Sequence, residues 1–364
     1  MKKTTLLLCF CVCFFIYALL RYPAAMLAAS AQSIQLWLTK VFPSLFPFLA
    51  ACGLLLRIGA AERMGVLCRP IMKPLFGLSG IAAFPFALGL LSGYPAGAKI
   101  TAMLYEKGLI STEEAQHILV FSNNAGPLFL IGTIGTGFFG IPAFGYLLLL
   151  SSVLGAITAG ILWRLRRKKR PAPPADYPSA AASSPSDALA AAVSDALGTI
   201  LQIGGYLILF GAFSEGMRQV GCFTLLSRLL FFLPLSAEGI QGIFSGLLEM
   251  TNGAYLLSIA TDDLPLRLSL IAFLVCFGGL SILGQTLGVL SAVPICKGDY
   301  IKGKLLHALC GALFCRLLYP LFSLHAQKAV PAFFSLTETA FTLSILWLLP
   351  AIFFLYALCL AAKK

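Results

Sequence analysis

Ser92-Gly93-Tyr94-Pro95-Ala96-Gly97-Ala98-Lys99 interrupts an apolar run from Ile81 to Leu91, placing glycine and proline where a membrane helix would continue. Non-helical backbone at membrane depth leaves N–H and C=O groups without partners, and this is tolerated only where protein or a water-filled cavity satisfies them. The stretch therefore reads as the floor of a solute site. A second interruption, Ser122-Asn123-Asn124-Ala125-Gly126-Pro127, breaks the next apolar run. Discontinuous helices at corresponding places in two halves of a chain point to a transporter's binding site.

Composition sets the class. The 364 residues are 59% hydrophobic and only 11% charged, with a mean hydropathy of +0.92, too little polar surface to cover a water-soluble globule. An all-α polytopic membrane protein is expected. The net charge of +12 lies in short segments between apolar runs, the pattern of cytoplasmic loops, and so points to anionic lipid headgroups and away from nucleic acid. The 11 cysteines include no Cys-x-x-Cys pair and sit mostly in apolar stretches, where a thiol behaves as a small hydrophobe. No disulfide framework, metal site or cofactor is expected.

The basic flanks give an orientation. Lys2 and Lys3 place the N-terminus inside, so that residues 5–20 form an uncleaved first span running outward and 41–59 return. The amphipathic stretch from Glu62 to Phe76 reads as a helix on the inner surface. Arg164 to Arg170 must again be cytoplasmic, and they offer a contact for anionic headgroups. One of the two broken segments then has to enter and leave on the same face: residues 77–107 are expected as a re-entrant hairpin and 114–139 as a broken crossing. Between them, Ser111 and Glu114 form the pattern of a helix-capping box. Residues 171–188, rich in proline, alanine and serine, cannot bury a core and read as a linker.

The second half repeats the first. Pairing Gly65 with Gly221 sets an offset of 156 residues, which also places Gly93 to Ala96 opposite Glu249 to Asn252, and Ser122-Asn123 opposite Gly278-Gly279. The expectation is an outward span at 197–213, a surface segment from Gly216 to Leu235, a re-entrant segment at 239–260 and a broken crossing at 264–290. Lys297, Lys302 and Lys304 fall inside, spans at 305–324 and 340–361 follow, and Lys363-Lys364 place the C-terminus in the cytoplasm. The divisions are 1–40, an N-terminal span and connector; 41–163, the first repeat; 164–195, the basic run and linker; 196–304, the second repeat; and 305–364, the C-terminal helices. About eight full spans result, and the first helices of the two repeats run in opposite directions, the inverted frame of alternating access.

Glu249 is the sharpest single residue, because a carboxylate this deep in an apolar run is expensive and reads as a proton carrier or cation ligand. Ser92, Gly93, Tyr94, Pro95, Ser122, Asn123, Asn124, Thr251, Asn252, Gly278, Gly279, Ser281 and Gln285 line the breaks and supply hydrogen bonds or close backbone approach. Half-helices starting after Pro95 and Pro127 aim positive dipole ends at the midplane, which suits a small anionic or carbonyl-rich solute. Lys99 either neutralises such a solute or extends to the interface. His117, His307 and His325 show no metal-ligand spacing. Gly298 to Lys304 resembles a phosphate-binding loop, but Leu305 stands where a magnesium-holding hydroxyl should be and no strand precedes it. No enzyme motif emerges, and the chain is compatible with a homo-oligomer.

Leu90 to Lys99, then Glu113-Glu114-Ala115, Phe121 to Asn124, Gly126 to Phe129, Leu248 to Gly253 and Phe277 to Ser281 together resemble the YlbJ or SpoVV family of sporulation integral membrane proteins. That family belongs to the nucleoside-recognition, or Gate-domain, group related to concentrative nucleoside transporters. The resemblance implies movement of dipicolinic acid across the outer forespore membrane during endospore formation. Two other readings stay open: a nucleoside or nucleobase carrier, and a non-transporting scaffold of the sporulation machinery.

Overall fold

The computed structural model describes residues 3–166, 185–232 and 234–326. The first half comprises α1 (Lys3–Arg21), α2 (Pro23–Leu36), α3 (Phe42–Arg57), α4 (Ala60–Phe76), α5 (Ala83–Ser92), α6 (Ala96–Glu106), α7 (Thr112–Ser122) and α8 (Pro142–Arg164). The second comprises α9 (Pro185–Gln219), α10 (Cys222–Leu229), α11 (Ala237–Leu248), α12 (Met250–Ile259), α13 (Leu264–Phe277), α14 (Gly279–Val289) and α15 (Lys297–Ala326). A π-helical segment, Leu128–Phe138, stands between α7 and α8. No strand occurs among the described residues. One unit spans residues 1–319; of a second, from residue 320 on, only residues 320–326 at the end of α15 are described.

Among the described residues four helical stretches are long and apolar enough to cross a bilayer: Pro142–Arg164, Ser186–Gln219, Leu264–Val289 and Lys297–Ser323. Two bent pairs, Cys9–Arg21 with Pro23–Thr39 (107°) and Leu45–Arg57 with Ala60–Phe76 (81°), bring the number to six if each counts as one. Of the eight expected spans, 340–361 lies outside the described residues, and 114–139 is divided between α7 and the π-helical segment. The chain is a polytopic membrane protein. On α15 the leucines at 305, 309, 313 and 317 are 43–63% exposed and form an i, i+4 stripe suited to lipid, while Lys304, His307, Ala308 and Cys315 on other faces are buried.

Local chemistry explains the helix boundaries. The capping box at the start of α7 is present: Ser111 Oγ accepts from the Glu114 backbone N–H (3.2 Å) and the Glu114 carboxylate accepts from Ser111 N–H (3.4 Å). The same buried carboxylate accepts from Ser79 N–H (3.0 Å), tying the entry of the α5–α6 hairpin to α7. Asp262 plays the matching part in the second half, accepting from Ser236 N–H at 2.7 Å and Ser236 Oγ at 2.5 Å just before α11. α9 begins at Pro185, so the tail of the stretch read as linker is helical. Asp187 in its first turn and the run Ala190-Ala191-Ala192 account for the early start. α9 also continues to Gln219, which shortens the expected surface segment to α10.

The element order recurs across the chain. α5 ends at Ser92 and α11 at Leu248, 156 residues apart, and each packs as a hairpin on the next helix. α7 and α13 end at the second break of each half. Gly155 of α8 and Gly311 of α15, related by the same offset, meet so closely that a Cβ on Gly155 would stand 2.7 Å from Gly311 N. Contact between repeat-equivalent residues is what a pseudo-two-fold axis produces.

Candidate functional site

Each break ends a helix and leaves backbone carbonyls that need donors. Gly93 (φ 92°) turns the chain out of α5, and Gly278 (φ 90°) and Gly279 (φ 71°) turn it between α13 and α14, in conformations other residues rarely adopt. The two breaks of the first half lie on each other: a Cβ on Gly93 would stand 2.7 Å from Gly126 N. The Ser122 carbonyl rests against Gly89 and Gly97, leaving no room for a side chain at either glycine. In the second half Gly279 approaches the Gly246 carbonyl in the same manner, with 2.7 Å left for a Cβ.

Side chains from both halves fill these openings. Tyr94 Oη donates toward the last carbonyls of α13, Val275 O (2.9 Å) and Cys276 O (3.0 Å). Asn124 Nδ2 donates to Phe121 O (2.7 Å) at the end of α7. Asn123 Nδ2 lies 3.0 Å from both Thr286 Oγ1 on α14 and Tyr300 Oη on α15.

Lys304, fully buried on α15, stands at the centre. Its Nζ donates to Asn123 O (2.7 Å), Tyr94 Oη (3.0 Å) and His307 Nδ1 (3.1 Å). It also lies 5.0 Å from the Tyr94 ring centroid, a cation–π distance. His307 Nε2 is 3.0 Å from the Ser152 carbonyl of α8. A carbonyl only accepts, so Nε2 carries the ring proton and the Nδ1 lone pair faces the ammonium. Among the described residues no carboxylate pairs with Lys304. Asn123 Oδ1, Asn124 Oδ1 and Ser122 Oγ are buried without hydrogen-bond partners.

The structure therefore gathers Tyr94, Asn123 and Asn124 with four residues that the sequence does not assign to the site: Thr286, Tyr300, Lys304 and His307. Lys304 corrects an expectation, because it had been placed with Lys297 and Lys302 in a cytoplasmic flank and instead lies wholly buried. The offset of 156 pairs Lys304 with Leu148 and Tyr300 with Phe144, but only the structure shows that both partners are buried in α8. His307, expected to have no role, holds the lysine. Gly93, Pro95, Gly278 and Gly279 form the turns around the cluster, and Ser92 lies half-buried beside them. Ser281 and Gln285 are buried on α14, with Gln285 Nε2 3.3 Å from Ser281 Oγ.

Other expected residues lie elsewhere. Lys99 lines a cleft with Leu49, Cys52, Asp195 and Thr199, between α3, α6 and α9, and does not reach the cluster. Glu249 is the N-cap of α12, its carboxylate accepting from Thr251 N–H (3.0 Å) and Asn252 N–H (2.9 Å). Thr251 is half-buried and Asn252 is exposed. Of the basic run, Arg164 Nη1 caps the Pro74 carbonyl at the end of α4, Arg166 lies 4.9 Å from the Trp163 ring centroid, and residues 167–170 lie outside the described residues.

The Gate family model, described as nucleoside recognition, matches residues 38–142, from the end of the connector through both first-half breaks. The sporulation integral membrane protein YlbJ of Bacillus subtilis is 33% identical over 356 residues, covering 88% of this chain and 85% of that protein. A solved structure of CNTnw in an outward-facing state shares 14% identity at a TM-score of 0.47, covering 81% of this chain and 83% of that one. Identity of 33% over most of both chains is decisive: the chain belongs to the YlbJ family of integral membrane proteins.

Proposed function

We propose that the protein is a secondary transporter of a small anionic solute, bound where the broken helices of the two halves meet. The observation that carries this reading is the buried lysine at the breaks with no carboxylate beside it. A buried charge without a counter-ion is costly in a purely structural role, and polar groups at this depth mark solute or ion pathways. Tyr94 and Asn123 of the first half bond to α13, α14 and α15 of the second, so the breaks of the two halves meet at one place, as in transporters built from repeats.

The solute we propose is dipicolinate, a planar aromatic dianion, moved across the outer forespore membrane with both termini cytoplasmic. The relative's name as a sporulation protein and the resemblance of the break motifs support this choice. Glu249 is proposed as the coupling residue, with anionic headgroups contacting the basic run that starts at Arg164. The test is uptake of labelled dipicolinate into liposomes carrying the purified chain, with and without a proton gradient. Uptake above protein-free liposomes is expected; no uptake, with the protein inserted and folded, overturns the reading. A second reading, nucleoside transport, is favoured by the family model's description. Uptake of labelled uridine, suppressed by excess unlabelled uridine and unaffected by excess dipicolinate, would select it.

A further inference from the structure

We propose that Lys304 is both the anion-binding residue of this site and the latch that holds its two halves closed, an inference that rests on the transport reading. An ammonium has three protons to give, and here each faces an acceptor: Tyr94 Oη, the Asn123 carbonyl and His307 Nδ1. Hydrogen bonding is complete, yet the charge remains without an opposite charge, and in a low-dielectric interior that difference matters. A carboxylate entering the site offers what the three neutral acceptors do not. It competes for the same protons with charge-assisted bonds, which are shorter and stronger than those to neutral oxygens.

The acceptors come from elements that have to separate if the site is to open. Tyr94 belongs to the first break and itself caps α13 of the second half. Asn123 belongs to the second break and reaches Thr286 and Tyr300 of the second half. His307 shares α15 with Lys304 and is anchored to α8 through the Ser152 carbonyl, so the lysine side of the latch stays fixed while the break side lets go. Drawing Nζ onto a solute carboxylate releases the lysine's bonds to the Asn123 carbonyl and the Tyr94 hydroxyl together, leaving the Tyr94 bonds to α13 and the Asn123 side-chain bonds as the remaining ties at the breaks. Anion binding and loosening of the breaks are then one event, which gives the ligand the differential affinity for two states that a conformational change requires.

The site so defined takes a small carboxylate and discriminates against a neutral molecule of the same shape. The experiment compares dipicolinate with its uncharged diamide on the full chain in liposomes, for wild type and for Lys304→Gln, which keeps length and polarity but removes the charge. Wild type is expected to take up dipicolinate at least about tenfold better than the diamide, and Lys304→Gln to lose about tenfold or more of dipicolinate uptake, the cost of one bond to a charged group. If Lys304→Gln does not fold, the wild-type comparison decides alone. Equal uptake of the two probes by wild type, or undiminished dipicolinate uptake by a folded Lys304→Gln, overturns this inference and leaves the transport reading standing. Uptake of neither probe by wild type overturns both.

Discussion

Glu249 separates two uses of one carboxylate. Both oxygens accept backbone N–H groups at the start of α12, which satisfies donors that would otherwise be orphaned. Glu249→Ala is therefore expected to cost about 1 kcal/mol of stability, read as a lowered melting temperature in detergent. Glu249→Gln keeps one acceptor oxygen and should melt close to wild type. On the coupling proposal, the same variant loses the dependence of uptake on a proton gradient; gradient-driven uptake retained in Glu249→Gln would leave the residue a cap and nothing more. The sequence makes an isolated carboxylate in an apolar run conspicuous, but says nothing of whether its partners are solute or backbone. Lys304 has the opposite history. Standing near Lys297 and Lys302 it shares the appearance of a cytoplasmic flank, and only its position on the inward face of α15 reveals the difference.

Among the elements, small residues set the distances. Gly97 on α6 leaves no room for a Cβ against the Ser122 carbonyl, and its repeat equivalent, Gly253 on α12, leaves none against Gly246. Backbone cannot give way as a flexible side chain can, so Gly97→Ala and Gly253→Ala are each expected to destabilise by about 1–3 kcal/mol or more. Gly198, on α9, has nothing within 4 Å of an added Cβ, and Gly198→Ala is expected to be neutral or to stabilise by up to about 1 kcal/mol through helix propensity. Thermal unfolding of the three variants in one detergent checks the contrast; equal melting temperatures would contradict it. These elements were largely legible beforehand, for a physical reason. The hairpin turn at Ser92 to Pro95, the capping box at Ser111 and Glu114, and the break before Pro127 are all specified by neighbours in the sequence. The start of α9 at Pro185 was not, because a proline- and alanine-rich stretch reads as linker until its packing is known.

Across the whole molecule, the repeat is what brings distant residues to one place. Gly155 and Gly311 meet at equivalent positions, so the helices that follow each broken crossing pass one another at the pseudo-axis. That crossing carries Ser152 on one side and Lys304 with His307 on the other to the breaks. The offset of 156 residues was readable from glycines and breaks in the sequence, whereas the identity of the residues facing inward was not, since both α8 and α15 are apolar on most sides. Lys99, at a break in sequence, lies off the cluster in space because α6 turns it toward α3 and α9. The central claim is that this meeting point, and not the surface of the protein, is where the solute is handled. Asn123 tests it most directly, as its backbone holds Lys304 and its side chain reaches Thr286 and Tyr300. The measurement is dipicolinate uptake by Asn123→Ala, per molecule reconstituted in liposomes, beside its melting temperature. The account predicts uptake reduced at least about tenfold with insertion in the membrane intact, and wild-type uptake in this variant would contradict it.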